Sequence, residues 1–151
     1  MTNINEFLKR FGSQTTTNFD LLKIGEDLAL QEFEVCMRDE LRSIDPLKAK
    51  GVLNVITNLH TSGQKGVHWS ACRININDNY FFDSYGLPPT NEVKEILGNG
   101  IYNTFQIQKP GTSHCGQLCL YVLYKLQKGV PFLDIMLELH QELPKLKFSF
   151  L

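Results

Sequence analysis

No run of about 20 apolar residues occurs in the 151-residue chain, so no segment has the length to cross a bilayer as a helix. The opening stretch, MTNINEFLKRFGSQTTTN, lacks the apolar core of a signal peptide, and an intracellular protein is expected. Charge of one sign is missing too: the formal net charge is -1, which gives no global attraction to nucleic acid. Cysteine is scarce. The four present, Cys36, Cys72, Cys115 and Cys119, lie in apolar segments and read as thiols rather than bridges in a reducing compartment. Internal repeats, low-complexity tracts and linkers are absent. What is there, 42% hydrophobic and 21% charged residues, suits one domain over residues 1–151 with one proper core.

Local patterns predict alternating helices and strands. Thr16, Thr17 and Asn18 offer N-caps for a helix over FDLLKIGEDL, with Phe19, Leu22 and Leu28 as its apolar stripe. FEVCM and VLNVITNL read as strands. VHWSACRINI and NYFFDSYG flank Asn77, Asp78 and Asn79 and read as an antiparallel hairpin, with His68 at one strand's start and Asp83 at the other's end. A tight turn there would pair Asp83 with about Ala71 or Cys72, so reaching His68 requires a bulge, strong twist or a longer loop. Thr90 and Gly98 bracket a short helix, NEVKEIL. IYNTFQIQ is predicted as a strand with Ile101, Phe105 and Ile107 on one face and Gln106 and Gln108 on the other. Leu118, Cys119, Val122, Leu123 and Leu126 make the next helix apolar over most of its circumference, so it should be buried on several sides. After Pro131, FLDIMLELHQEL predicts a helix with Leu133, Met136, Leu137 and His140 on its stripe.

The chemistry centres on the junction SHCGQLC, from Ser113 to Cys119. A thiol attacks carbonyls as thiolate, and a helix N-terminus with a nearby imidazole lowers its pKa from about 8.5 to roughly 3.5 to 7.5. Cys115 has that placement, with Ser113 as the expected N-cap. Gly116 would let a substrate backbone approach the Cys115 amide, an unpaired donor suited to an oxyanion. Gln108, seven residues earlier, is a second candidate donor. Taken singly, each residue has a plainer reading: Cys115 as a buried small hydrophobe, His68 as a strand-end imidazole, Asp83 as a turn carboxylate, Trp69 as core and Gln108 as strand surface. His60 and His114 compete as the base and Gln106 as the donor. Cys115, Cys119 and His140 make a poor zinc set, short of four ligands, and no metal or other cofactor is expected.

Together, GVHWSAC, YFFDSYG, Gln108 and SHCGQLC resemble the adenains, the adenovirus-type cysteine proteases, and their relatives in virophages and Polinton-like elements, which are akin to the SUMO-specific proteases. The similarity runs from Thr15 to Met136. It implies an α+β papain-like core in permuted order, a central helix packed on an antiparallel sheet. Carried over by position, His68 is the general base, Asp83 its orienting carboxylate, Gln108 the oxyanion donor and Cys115 the nucleophile. Trp69 would close over the substrate backbone and favour glycine beside the scissile bond, with Gly116 also on the substrate side.

The implied function is a thiol endopeptidase that cleaves capsid or other virion precursors, acting in the infected cell's virus factory and packaged in the virion. A monomer is favoured, without membrane association. Activation by peptide or DNA is not carried over, because the chain is shorter than the adenovirus enzymes. Two alternatives are an isopeptidase acting on ubiquitin-like tails and an inactive capsid-associated binding module.

Overall fold

Strand VLNVITN carries apolar or buried side chains toward both faces, the pattern of a strand in the middle of a layered sheet. In the computed structural model, which describes residues 3–44, 51–64, 66–108 and 112–148, that strand is β2 (Val52–Asn58) of a five-stranded sheet. The sheet runs in chain order: β1 (Phe33–Cys36), β2, β3 (Trp69–Asn75), β4 (Asn79–Phe82) and β5 (Ile101–Tyr102). The expected antiparallel pairing holds for β2, β3 and β4, and the two edge strands add parallel pairs.

Among the described residues, five helices flank the sheet: α1 (Ile4–Phe11), α2 (Asn18–Asp27), α3 (Asn91–Leu97), α4 (Cys115–Gln127) and α5 (Phe132–Phe148). One face is covered by α3 and the 3₁₀ turn Arg38–Ser43, with Leu41, Val93 and Leu97 packing on Leu53, Val55, Cys72 and Phe81. The other face receives α4, the central helix. Its residues from Gly116 to Leu123 are all buried, because β3 lies on one side and α1, α2 and α5 on the others. Thus the all-round apolar helix of the sequence is the axis of the larger core.

Caps follow the sequence closely. Thr17 starts α2 with a full capping box to Asp20, and the Thr90 hydroxyl accepts the Val93 N–H at the start of α3, which Gly98 closes in a positive-φ conformation. Three expectations require correction. On α2, Phe19 (75% exposed) and Leu22 point outward, while Leu21 and Gly25 face inward. Gly25 belongs to the buried face because a Cβ there would lie 2.1 Å from the Phe33 ring, so β1 seats its aromatic against bare backbone. On α5 the inward face is Phe132, Ile135, Met136, Leu139 and Leu143; Leu133, Leu137 and His140 are exposed.

The third correction concerns IYNTFQIQ, which is strand only at Ile101–Tyr102. Asn103 is buried and spends its amide nitrogen on the carbonyls of Asp83 and Phe105, drawing the chain off the ladder. Beyond it strand alternation is lost: neighbouring Ile107 and Gln108 are both buried, while Ile101 and Phe105 are exposed.

The β3–β4 connection lies one residue earlier than expected. Asn75 Oδ1 accepts the N–H groups of Asn77 and Asp78, and Asn79 Oδ1 accepts that of Asn75, with Ile74 opposite Asn79 and Ala71 opposite Phe82. Continuing this register puts Asp83 opposite Ser70, with His68 its diagonal neighbour. Diagonal residues across an antiparallel pair lie within reach of long side chains. No bulge is needed.

Candidate active site

Cys115 begins α4 with its thiol half-buried. The expected cap does not form: Ser113 Oγ donates instead to the Ser13 carbonyl, and His114, at the cap position, makes no side-chain cap bond. No side chain preceding Cys115 therefore caps the first turn. The Cys115 thiol shares a hydrogen bond with the His68 side chain. His68 is buried where β3 begins, and its Nε2 lies 3.1 Å from Asp83 Oδ2, so Nδ1 is the ring nitrogen left for the thiol. Cys115, His68 and Asp83 thus form one connected chain of side chains.

The electrostatics follow from these contacts. Burial alone would raise the Cys115 pKa, but the bond to His68, the backbone N–H groups of Trp69 and Gly116 and the charge of the imidazolium outweigh it and hold the thiol below its ordinary range. Burial likewise opposes charge on His68, yet Asp83 and Cys115 raise its pKa to about 9. The other thiols move the opposite way: burial pushes Cys36 up to about 11 and raises Cys72 and Cys119. The competing imidazoles lie elsewhere. His60 Nδ1 accepts the Gly66 N–H, and burial alone lowers the pKa of His114.

Asp83 is itself clamped. Its Oδ1 accepts the N–H groups of Tyr85 (2.8 Å) and Leu87 (3.4 Å), and Asn103 accepts from its N–H and donates to its carbonyl. Tyr85 then lies flat on the imidazole, ring centroids 4.5 Å apart and planes 19° from parallel. Neither Tyr85 nor Asn103 emerged from the sequence as a site residue. The only available signal was Tyr85's place within FFDSYG, two residues after the carboxylate.

Gln108 is 1% exposed, whereas Gln106 is exposed and donates to the Gln108 carbonyl. The Gln108 Nε2 donates to the Thr112 carbonyl at 2.8 Å and approaches Tyr85 Oη at 3.5 Å, both residues of the cleft that holds Cys115. An amide nitrogen has two protons and both have acceptors here, so a further acceptor would have to replace the longer contact with Tyr85 Oη.

That cleft has a volume of about 600 Å³, and Cys115, Trp69, Tyr85, Val67, Met37 and Thr16 are among the residues that line it. Trp69 is a fixed wall: its indole N–H donates to the Thr16 carbonyl at 3.2 Å. Gly116 is not on the cleft surface. A Cβ there would lie 2.1 Å from Thr16 Oγ1 and 2.9 Å from Leu21 Cδ2, so the glycine lets α4 touch the chain entering α2. Cys115, Cys119 and His140, a poor zinc set in the sequence, lie apart, with Cys119 donating to the Trp69 carbonyl inside the core and His140 on the surface against Phe105. Among the described residues no three His, Cys, Asp or Glu side chains are grouped to hold a metal, and no helix is long and apolar enough to cross a membrane.

A scan against protein-family models gives no match, and no curated protein matches the chain. Among solved structures, the crystal structure of the ASFV pS273R protease matches with a TM-score of 0.60 at 15% identity, over 83% of this chain and 63% of that one. The likeness gives the α+β fold of a protease, and this chain spans less than two thirds of that protein's length.

Proposed function

We propose that the chain is a thiol endopeptidase that cuts virion precursor proteins at glycine-containing sites. The observation that carries this reading is the buried relay from Cys115 through His68 to Asp83 at the mouth of a cleft, with the one downward-shifted thiol of the molecule at its head. A perturbed nucleophile in contact with a base, itself oriented by a third group, is the arrangement that acyl transfer requires.

In the reaction, His68 holds the proton of Cys115, and the thiolate adds to the scissile carbonyl. The developing oxyanion takes hydrogen bonds from the Cys115 N–H and from Gln108 Nε2, which gives up its 3.5 Å contact with Tyr85 Oη to make it. Collapse breaks the C–N bond, and the imidazolium gives its proton to the leaving amine. Water, deprotonated by His68, then opens the thioester, releasing the new carboxyl end and restoring the thiol. Asp83 keeps the ring oriented and balances its charge. Trp69, pinned by Thr16, excludes a Cβ next to the scissile bond by steric contact and so selects glycine.

The substrates are capsid and other virion precursors, processed in the infected cell and within the particle. The test is a digestion panel: a viral major capsid precursor that contains glycine-rich sites, and ubiquitin-like precursors, each with wild type and Cys115→Ala. Cleavage of the capsid precursor by wild type alone supports the reading. Cleavage of the ubiquitin-like precursors alone makes the protein an isopeptidase, and no cleavage of either makes it a binding module.

A further inference from the structure

We infer that Ser84 is a positioning residue that anchors the Gln108 carboxamide so that its NH₂ end is held toward the reacting carbonyl, an inference that rests on the proposed protease reading. Ser84 is fully buried and holds Gln108 by two bonds and its neighbour Ile107 by a third. Its carbonyl accepts the N–H groups of both Ile107 (2.8 Å) and Gln108 (2.7 Å), and its hydroxyl donates to Gln108 Oε1 at 2.5 Å. The turn carrying it is docked in place: Gly86, at φ +73°, lies so close to Phe105 that a Cβ would come within 2.8 Å of its carbonyl carbon.

The chemistry of a carboxamide makes this contact decisive. One end has two donors and the other only acceptors, and the two ends have nearly the same shape. With Oε1 held by the Ser84 hydroxyl, Nε2 points toward Thr112 and Tyr85, both on the cleft wall. Inverted, the amide would set its oxygen against the Thr112 carbonyl and present negative charge to an oxyanion. The Thr112 carbonyl, an acceptor only, disfavours inversion, while the Ser84 hydroxyl anchors the other end and meets the hydrogen-bond need of a buried acceptor. Adjacent residues thereby divide two tasks, Asp83 orienting the base and Ser84 orienting the oxyanion donor.

The experiment is a double-mutant cycle on a fluorogenic peptide amide with glycine at the second residue before the cut, using wild type, Ser84→Ala, Gln108→Ala and the double variant. Ser84→Ala should lower kcat roughly 10- to 100-fold by leaving Oε1 unpaired and freeing the amide to turn, with KM nearly unchanged. Ser84→Cys, a weaker donor of similar size, should fall between. In the Gln108→Ala background the Ser84→Ala change should cost nothing further. The pH profile of Cys115 alkylation should stay as in wild type, a readout that general damage to the fold would move.

Ser84→Ala at the wild-type kcat, or losses that simply multiply in the double variant, would overturn the inference while leaving the protease reading intact. Gln108→Ala at full activity would remove Gln108 from the mechanism and this role of Ser84 with it. A wild-type protein that cleaves neither this peptide nor the precursors would reject the protease reading itself.

Discussion

Replacing Asp83 by Asn changes one atom of a buried contact, and the structure sets what it should cost. In the wild type, Asp83 and Cys115 overcome the opposing burial and raise His68 from 6.5 to about 9. Loss of the Asp83 charge therefore lowers the preference for the charged ring and, with it, the share of Cys115 held as thiolate near neutrality. A second effect adds to the first. The Tyr85 N–H needs an acceptor, so the oxygen of the substituted carboxamide stays on that side and its NH₂ group faces His68 Nε2. Two donors cannot meet, and the neutral ring moves its proton to Nδ1, where it no longer accepts from the thiol. The orienting carboxylate of a serine triad is worth up to about 10⁴-fold in kcat when changed to Asn, which bounds the effect on cleavage. The assay needs no substrate: the rate of Cys115 alkylation by iodoacetamide is followed from about pH 5 to 10, a range that spans the ordinary imidazole and thiol titrations. Wild type should react below the ordinary thiol range and show a second inflection near 9 as His68 loses its proton. Asp83→Asn should move the thiol titration upward toward its ordinary range. Identical profiles for the two proteins would refute the role given to Asp83.

Gly116→Ala should destabilise the fold by about 1 to 3 kcal/mol, since its Cβ would press on Thr16 and Leu21, and Thr16→Ala in the same chain should recover part of the loss; urea midpoints check both. Trp69→Ala should relax the preference for glycine before the cut and lower kcat/KM for the glycine peptide, and a peptide library that shows the same preference in both proteins would remove the wall from the specificity model. His68→Ala should abolish cleavage and slow Cys115 alkylation at neutral pH to the rate of an ordinary thiol, measured by site-resolved mass spectrometry.

The parts legible in the sequence were those set by local chemistry. Thr17 and Thr90 announced helix starts because a hydroxyl before an amphipathic run satisfies free N–H groups. The buried central helix was visible because polar residues are nearly absent around it. Cys115 stood out at a helix start and Gln108 at the end of a predicted strand, His68 and Asp83 took their roles from the resemblance to the adenains, and the fold brings His68, Asp83 and Cys115 into contact and puts Gln108 behind Tyr85 and Thr112. What stayed hidden depends on contacts between distant segments. Gly25 reads as a helix breaker until Phe33 is seen against it, and Gly116 reads as open space until Thr16 fills it. Asn103 looks like a strand residue, yet its amide serves the backbone of Asp83, twenty residues away, and unmakes the strand. Ser84 and Tyr85 sat within a quoted motif, but nothing in their spacing tells that one meets Gln108 and the other His68. The phase of α5 failed for a related reason: leucines occupy both its faces, so only packing on α4 decides which turn inward.

The covalent intermediate offers the most direct measurement. The capsid precursor, or a peptide cut from it, is mixed with excess wild-type protein, quenched in acid within the first turnover and read by intact mass and peptide mapping. The expected result is a hydroxylamine-labile adduct equal to the acyl-side fragment, located on Cys115, with no adduct and no cleavage for Cys115→Ala. Cleavage by Cys115→Ala at the wild-type rate, or an acyl group found on another residue, would contradict a mechanism built on this thiol.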